Sequence, residues 1–290
     1  MRKALICDYT WYGVNAETLP LAAKEVMQFG HALERILREI LIANPAHGPV
    51  LLNKTDLSDG FYRIDLNPSD APKLGVVFPT KPGAAPMAAV PLVLPMGWVN
   101  SPPVFSTGTE TVADVANQRL RTAAYRPPPH HLDDMADAVT PPPAPTADAQ
   151  PAVATAAVSV PLTRDPSLPS TGTPVQYVDI FVDDFISLAQ EPNLRRVRQT
   201  LLHTIDHVFR PLSAEDSQFR SEPVSLKKLR KGDCSWDTVK TVLGWVVDTV
   251  NLTIHLPPHR IKRLWEILDS IPRSQRRTST KKWHTVLGEL

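Results

Sequence analysis

The sequence predicts an α+β fold in which helices pack on an antiparallel sheet. Three observations lead there. Short runs rich in Val, Ile, Phe and Tyr, bounded by Pro, Gly, Asn and Asp, recur along the chain as candidate strands. Longer segments carry apolar residues at three- and four-residue spacings, the period of an amphipathic helix. Finally, Val175–Leu188 holds two β-favouring runs with Asp183-Asp184 between them, which reads as a tight hairpin with both carboxylates at its tip.

Taken in order, Ala22–Asn44 is a helix whose Val26, Phe29, Leu33, Ile36, Leu37, Ile40 and Leu41 share a face, stopped by Pro45. Pro49-Val50-Leu51-Leu52 leads into a strand ending near Asp56, and Leu74–Phe78 and Ala88–Leu94 follow as strands. Ser101–Ala124 is a helix with Ser101 as its cap and Pro102 and Pro103 in its first turn. Between Pro127 and Gln176 lie 12 prolines and no Phe, Trp or Tyr. Such a stretch buries too little apolar surface to offset its ordering entropy and reads as a flexible insert. Pro192–Phe209 is helical, and Val239–Val250 pairs with Leu252–Leu256 around Thr249-Val250-Asn251. Arg260–Ile271 and Thr280–Leu290 are basic amphipathic helices, and an end inside the second reads as truncation.

A hydrophobic share of 42% in 290 residues suffices for a core. The longest apolar window, Ala84–Val99, is broken by Pro86, Pro91 and Pro95, so no membrane span is expected. The opening Met-Arg-Lys runs straight into an Asp-bearing segment, which predicts no secretory signal. Cys7 and Cys234 cannot form a disulfide framework. The expectation is an intracellular protein, cytoplasmic or nuclear. Net charge is −7 over residues 1–194 and +8 over residues 195–290, which suggests a polyanion held on one side and cations gathered on the other.

Asn53-Lys54-Thr55-Asp56-Leu57-Ser58-Asp59-Gly60-Phe61-Tyr62 sets a carboxylate at a strand end before a glycine turn, and the hairpin supplies two more. Taken singly, Asp56 is a turn cap and Asp183-Asp184 an exposed tip. Converging, the three would repel one another unless divalent cations lay between them. Hard oxygen ligands suit Mg²⁺, and two such ions about 3.5–4 Å apart serve nucleotidyl transfer. His130-His131-Leu132-Asp133-Asp134 has metal-binding residue types but lies in the Pro-rich insert, and a solvated loop is expected. Pro257-Pro258 keeps His255 and His259 off a common helix face, the two cysteines lack zinc-site spacing, and no Gly-x-x-x-x-Gly-Lys loop occurs.

Four segments in order resemble the palm of a reverse transcriptase from a long-terminal-repeat retrotransposon. They are Thr55–Ile64, Leu94-Pro95-Met96-Gly97-Trp98-Val99-Asn100-Ser101-Pro102, Tyr177–Ile186 with Phe181-Val182-Asp183-Asp184, and Val242-Leu243-Gly244-Trp245. The resemblance covers nearly the whole chain outside the insert. It implies a right-hand polymerase palm with partial fingers and the start of a thumb. It also implies RNA-directed DNA polymerase activity, adding dNTPs to a primer 3′-hydroxyl on an RNA or DNA template, with two Mg²⁺ ions for which Mn²⁺ substitutes. On it, Asp56 and Asp183 hold both ions, Asp184 is a less direct ligand, and the Leu57 carbonyl joins the metal shell. The amides of Ser58, Asp59, Gly60 and Phe61 cradle the triphosphate. The Phe61 ring excludes a 2′-hydroxyl, and Met96 packs on the incoming sugar. Leu243, Gly244 and Trp245 position the primer end. Where the family carries Arg, four residues before Asp8, this chain has Ala4, so Arg2 or Lys3 is expected on the triphosphate. One of Lys227, Lys228 and Lys231 serves as general acid. Arg260, Arg263, Lys281 and Lys282 contact nucleic-acid backbone.

The implied organisation is partial fingers and palm helix over 1–50, first half of the palm over 51–125, insert over 126–174, second half over 175–250, and start of thumb over 251–290. Ribonuclease H and integrase domains are expected in a parent polyprotein. The alternative is an inactive or truncated retroelement remnant that folds and binds nucleic acid.

Overall fold

The computed structural model describes residues 6–21, 27–137, 159–164, 166–216, 218, 220–271, 277 and 279–289. Its elements are α1 (Val14–Glu17), α2 (Ala32–Ile42), β1 (Leu51–Asp56), β2 (Val76–Phe78), β3 (Met87–Ala89), α3 (Ser101–Arg121) and α4 (Asp133–Asp137). There follow β4 (Val160–Pro161), β5 (Gln176–Phe181), β6 (Asp184–Ala189), α5 (Leu194–Phe209), α6 (Leu226–Leu229) and β7 (Val239–Val242). Last come β8 (Trp245–Asp248), β9 (Thr253–His255), α7 (Pro258–Asp269) and α8 (Thr280–Glu289). All strand pairs are antiparallel, in sheets ordered β1-β6-β5, β2-β3 and β4-β9-β8-β7. The expected α+β class of helices with antiparallel sheet is what forms. Among the described residues no helix is long and apolar enough to cross a membrane.

The central sheet β1-β6-β5 is buried on both faces, which is why β6 reads as a nearly unbroken apolar run instead of an alternating one. Against one face, Val178, Ile180 and Phe185 meet Phe105, Val112 and Leu120 of α3 and Val197, Leu201 and Ile205 of α5. Against the other, Leu52, Ile186 and Leu188 meet Ile36 and Ile40 of α2 and Val242, Val247 and Ile254 of the β7–β9 sheet. Each such side chain contributes about 1.5–3 kcal/mol by leaving water. The outer edge of β1 is covered by the segment 223–237: Leu52 N–H donates to Asp237 O (2.9 Å), Lys54 N–H to Asp233 O (3.2 Å), and Ser225 N–H to Asp56 O (2.8 Å).

Several elements differ from expectation. The helix expected over 22–44 spans Ala32–Ile42, preceded by one 3₁₀ turn at Gln28–His31, and residues 22–26 lie outside the described residues. Gly30 weakens helix there, and Phe29 turns edge-on to Phe181 at 5.4 Å. Ser101 is the first helical residue of α3 instead of its cap; its hydroxyl donates back to Pro95 O (2.7 Å). Val239–Val250 is not one strand but the β7–β8 hairpin plus the turn before β9.

The stretch 126–174, expected to be flexible, is packed on both described flanks. His130, Leu132 and Asp133 are buried, Val160 and Pro161 pair with β9, and Thr171 N–H donates to Ile42 O (2.9 Å). Residues 138–158 of it lie outside the described residues.

Candidate active site

Two strands and one short helix build the acidic centre. β1 pairs with β6 so that Asp56 stands directly opposite Asp184, and opposed residues share a sheet face. The β5–β6 connection is a two-residue turn, Val182-Asp183, closed by the Phe181–Asp184 pair. Val182 has φ 59°, a left-handed conformation that a β-branched residue adopts at a cost of about 1–3 kcal/mol. Packing on both faces of the sheet holds the turn in this form. Leu57 N–H donates to Asp183 O (3.1 Å), locking the end of β1 to the same turn.

Two cations sit on this pair. Lys54, two residues before Asp56 on β1, places its ammonium 3.3 Å from Asp184 Oδ2. Lys228, on α6, donates to Asp56 Oδ1 and lies 3.7 Å from Asp184 Oδ1. Of the three lysines the sequence left open, Lys228 is the one paired with these aspartates. Helix α6 is aimed by its N-terminal approach, where Ser225 bonds the Asp56 carbonyl and Val224 bridges Leu57. Chain spacing alone does not reveal this reach.

Asp56 is only 7% exposed. Burial, followed by its hydrogen bond to Asp184, pushes its pKa up from 3.8 to about 7, against the pull of Lys228. Asp184, though burial works against its charge, is held below the usual carboxylate range by the hydrogen bond from Asp56 and by Lys54 and Lys228. The two shifts run in opposite directions, so of the pair Asp56 is the carboxyl that favours its proton and Asp184 the one that favours its charge. Asp183 is raised by burial and then by the Asp184 charge. Lys228 is raised despite its burial, because three carboxylates surround it.

Asp184 faces Asp56, and Asp183 occupies the turn. The three carboxylates do not form a set whose ligand atoms all lie within 4.8 Å of one another.

Around the pair, the expected triphosphate loop is built differently in detail. Ser58 N–H is already bonded to Pro223 O (2.8 Å) and is not free to cradle a phosphate. Asp59 (φ 62°) and Gly60 (φ 41°) make the turn, and Asp59 Oδ2 accepts from the Ser221 hydroxyl (2.6 Å). Arg63, which sequence reasoning did not single out, clamps the loop from beneath: its buried guanidinium donates to Ser58 O (2.7 Å) and Ser221 O (2.9 Å). Phe61 is half-buried, edge-on to Phe105 of α3 at 4.9 Å, so it is a core contact as well as a loop residue. Met96 is half-buried, and its carbonyl accepts from Cys7 N–H (3.3 Å). Leu243 (φ 51°) and Gly244 (φ 83°) form the two-residue β7–β8 turn, the twist such hairpins favour, and Trp245 is half-buried on the second core.

Arg260 of α7 lies over Gly244, its guanidinium carbon 3.4 Å from where a Cβ would stand. Arg263 pairs with Glu266 (3.3 Å), and Lys281 is exposed. Arg2, Lys3 and the side chain of Lys282 lie outside the described residues.

The histidine segment is not the solvated loop expected. His130 is buried, its Nε2 2.9 Å from Asp206 Oδ2, and its Nδ1 accepts Leu132 N–H (3.1 Å). His131 stacks on it at 4.4 Å. Among the described residues, His130, His131 and Asp206 are a set of side chains close enough to share one ion. The Leu132 amide occupies Nδ1, however, so the neutral ring carries its proton on Nε2 and donates to Asp206. Both nitrogens are spent on structure.

No family model and no curated protein matches this sequence. Among solved structures, the chain is similar to a foamy viral protease-reverse transcriptase in complex with double-stranded DNA. Identity is 15%, the TM-score is 0.48, and the match covers 98% of this chain but 32% of that one.

Proposed function

We propose that this chain is the palm of an RNA-directed DNA polymerase of retrotransposon type, catalysing attack of a primer 3′-hydroxyl on the α-phosphate of a dNTP with release of pyrophosphate. One observation carries the reading: two carboxylates from adjacent antiparallel strands, far apart in sequence, face each other at the strand ends with a lysine across both. The four sequence motifs in order support it.

The donor set fits divalent cations. All candidate ligands are hard oxygens, and two ammonium groups already rest where positive charge is needed. Asp56, Asp183 and Asp184 would hold the metal, with the Leu57 carbonyl beside them. When bound, Mg²⁺ supplies charge stabilisation at the attacking and leaving oxygens. Lys228 neutralises the carboxylates and is placed to give its proton to departing pyrophosphate. Phe61, packed against Phe105, would be the wall that excludes a ribose 2′-hydroxyl. The β7–β8 turn and the basic face of α7 carry the primer backbone.

The test is primer extension on a homopolymer RNA template with Mg²⁺, comparing wild type with Asp184→Asn and Asp56→Asn. Incorporation by wild type, lost to background in both variants, is the expected result. Equal incorporation by all three would remove the assigned site.

A further inference from the structure

Lys54 is an unusual residue for its place. It lies within a mostly buried strand, opposite Ile186 of β6, and its side chain is only 22% exposed. Lysine is disfavoured in strands and seldom buried without a partner. Its partner is Asp184 Oδ2, while Lys228 approaches the opposite oxygen, Oδ1. Both oxygens of the carboxylate therefore face an ammonium, and Asp56 faces one as well. A single lysine would have been enough to serve as proton donor, so Lys54 is left without a task in the chemistry.

We propose, resting on the metal-dependent reading above, that Lys54 is a resident counter-cation that keeps Asp184 closed to free divalent ions and yields it only when a nucleoside triphosphate arrives. Mg²⁺ sheds its water reluctantly and gains little from carboxylates already neutralised by fixed ammonium groups. A triphosphate brings several negative charges that compete for both lysines, and it delivers the cation already bound to phosphate oxygens. The exchange makes and breaks no covalent bond. It loads metal and nucleotide together, so an enzyme lacking substrate holds no reactive ion.

The test measures Mn²⁺ binding to the full chain by electron paramagnetic resonance, with MnCl₂ alone and with dTTP added. In MnCl₂ alone, Lys54→Met binds about tenfold tighter than wild type, the size of effect expected on removing one unit charge close to a divalent ion at water-like dielectric. Lys54→Arg, which keeps the charge, stays at the wild-type value, and adding Asp184→Asn to Lys54→Met abolishes the gain. Lys54→Gln gives the same reading should the methionine variant melt early. Unchanged or weaker Mn²⁺ affinity in the neutral variants overturns the role of Lys54 while leaving the polymerase reading standing, provided wild type binds Mn²⁺ with dTTP. No Mn²⁺ bound by any variant, with or without dTTP, overturns both.

Discussion

Asp56 shows what one residue's surroundings do to its chemistry. Its carboxyl is raised to about 7, first by burial and then by its hydrogen bond with Asp184. The native state thus holds this proton more tightly than the unfolded chain does. The associated stability is complete below about pH 4 and is lost as pH rises through 7, a swing of no more than about 4 kcal/mol for a shift of about three units. Asp56→Asn removes the titration. Melting temperatures between pH 5 and pH 8 should fall more steeply for wild type than for the variant, and the variant should be the more stable at pH 8. Parallel curves would show that Asp56 does not carry this proton. If the proposed metal site is right, Mg²⁺ with dTTP should flatten the wild-type curve, because a cation held by these carboxylates competes with the proton.

At the scale of elements, loops are held by close backbone approaches. Gly97 has φ 99°, and a Cβ there would stand 2.0 Å from the Cys7 carbonyl oxygen, so the Pro95–Val99 turn and the segment around Cys7 can meet only at glycine. Asn15 ties the same two pieces, donating to Gly97 O (3.0 Å) and accepting from Val99 N–H (2.9 Å). Gly97→Ala should cost at least about 2 kcal/mol in urea unfolding, through both the clash and the left-handed backbone. A neutral result would mean the two segments separate freely. Asp133 is the matching case on the other side. It is 1% exposed and accepts from Arg195 (2.9 Å), Arg198 (2.6 Å) and Gln199 (2.6 Å) of α5. Asp133→Ala removes the buried carboxylate on which two arginines and a glutamine of α5 converge, a loss of about 3–5 kcal/mol. The same variant should expose the Pro127–Met135 segment to limited proteolysis.

These elements also show what the sequence disclosed. The strand ending at Asp56 and the hairpin at Asp183-Asp184 were legible because apolar runs interrupted by acids leave few alternatives. Which aspartate faces Asp56 was not, since it depends on a turn of two residues, and one residue more or less would flip every side chain. Lys228 could not be told from Lys227 and Lys231 because reach is set by the docking of Ser225, not by spacing. The burial of His130 and Asp133, in a segment expected to be a solvated loop, was not legible because their partners lie 62 to 76 residues away on α5. A short polar stretch in a proline-rich context gives no local sign of that.

For the whole molecule, the uneven charge, −7 over residues 1–194 and +8 over the rest, now has a structural setting. The acidic part holds the aspartate of β1 and the hairpin, while the basic part supplies Lys228 and the start of α7. Much of that positive charge is spent internally: Arg195 and Arg198 on Asp133, Arg263 on Glu266. Arg260 differs. It is exposed and stands over the Leu243-Gly244 turn. If that turn carries a primer backbone, its guanidinium meets a phosphate. Affinity for a primer–template duplex should then fall linearly with the logarithm of salt concentration, and Arg260→Gln should weaken binding alike on all sequences while lowering the slope by about one. Arg263→Gln, whose parent side chain is already paired, should change the slope less. Gly244→Ala should also weaken binding, because a Cβ at φ 83° strains the turn that Arg260 stands over. Fluorescence anisotropy of a labelled duplex across a salt series measures all three, and an unchanged slope in Arg260→Gln would place the nucleic acid elsewhere on the protein.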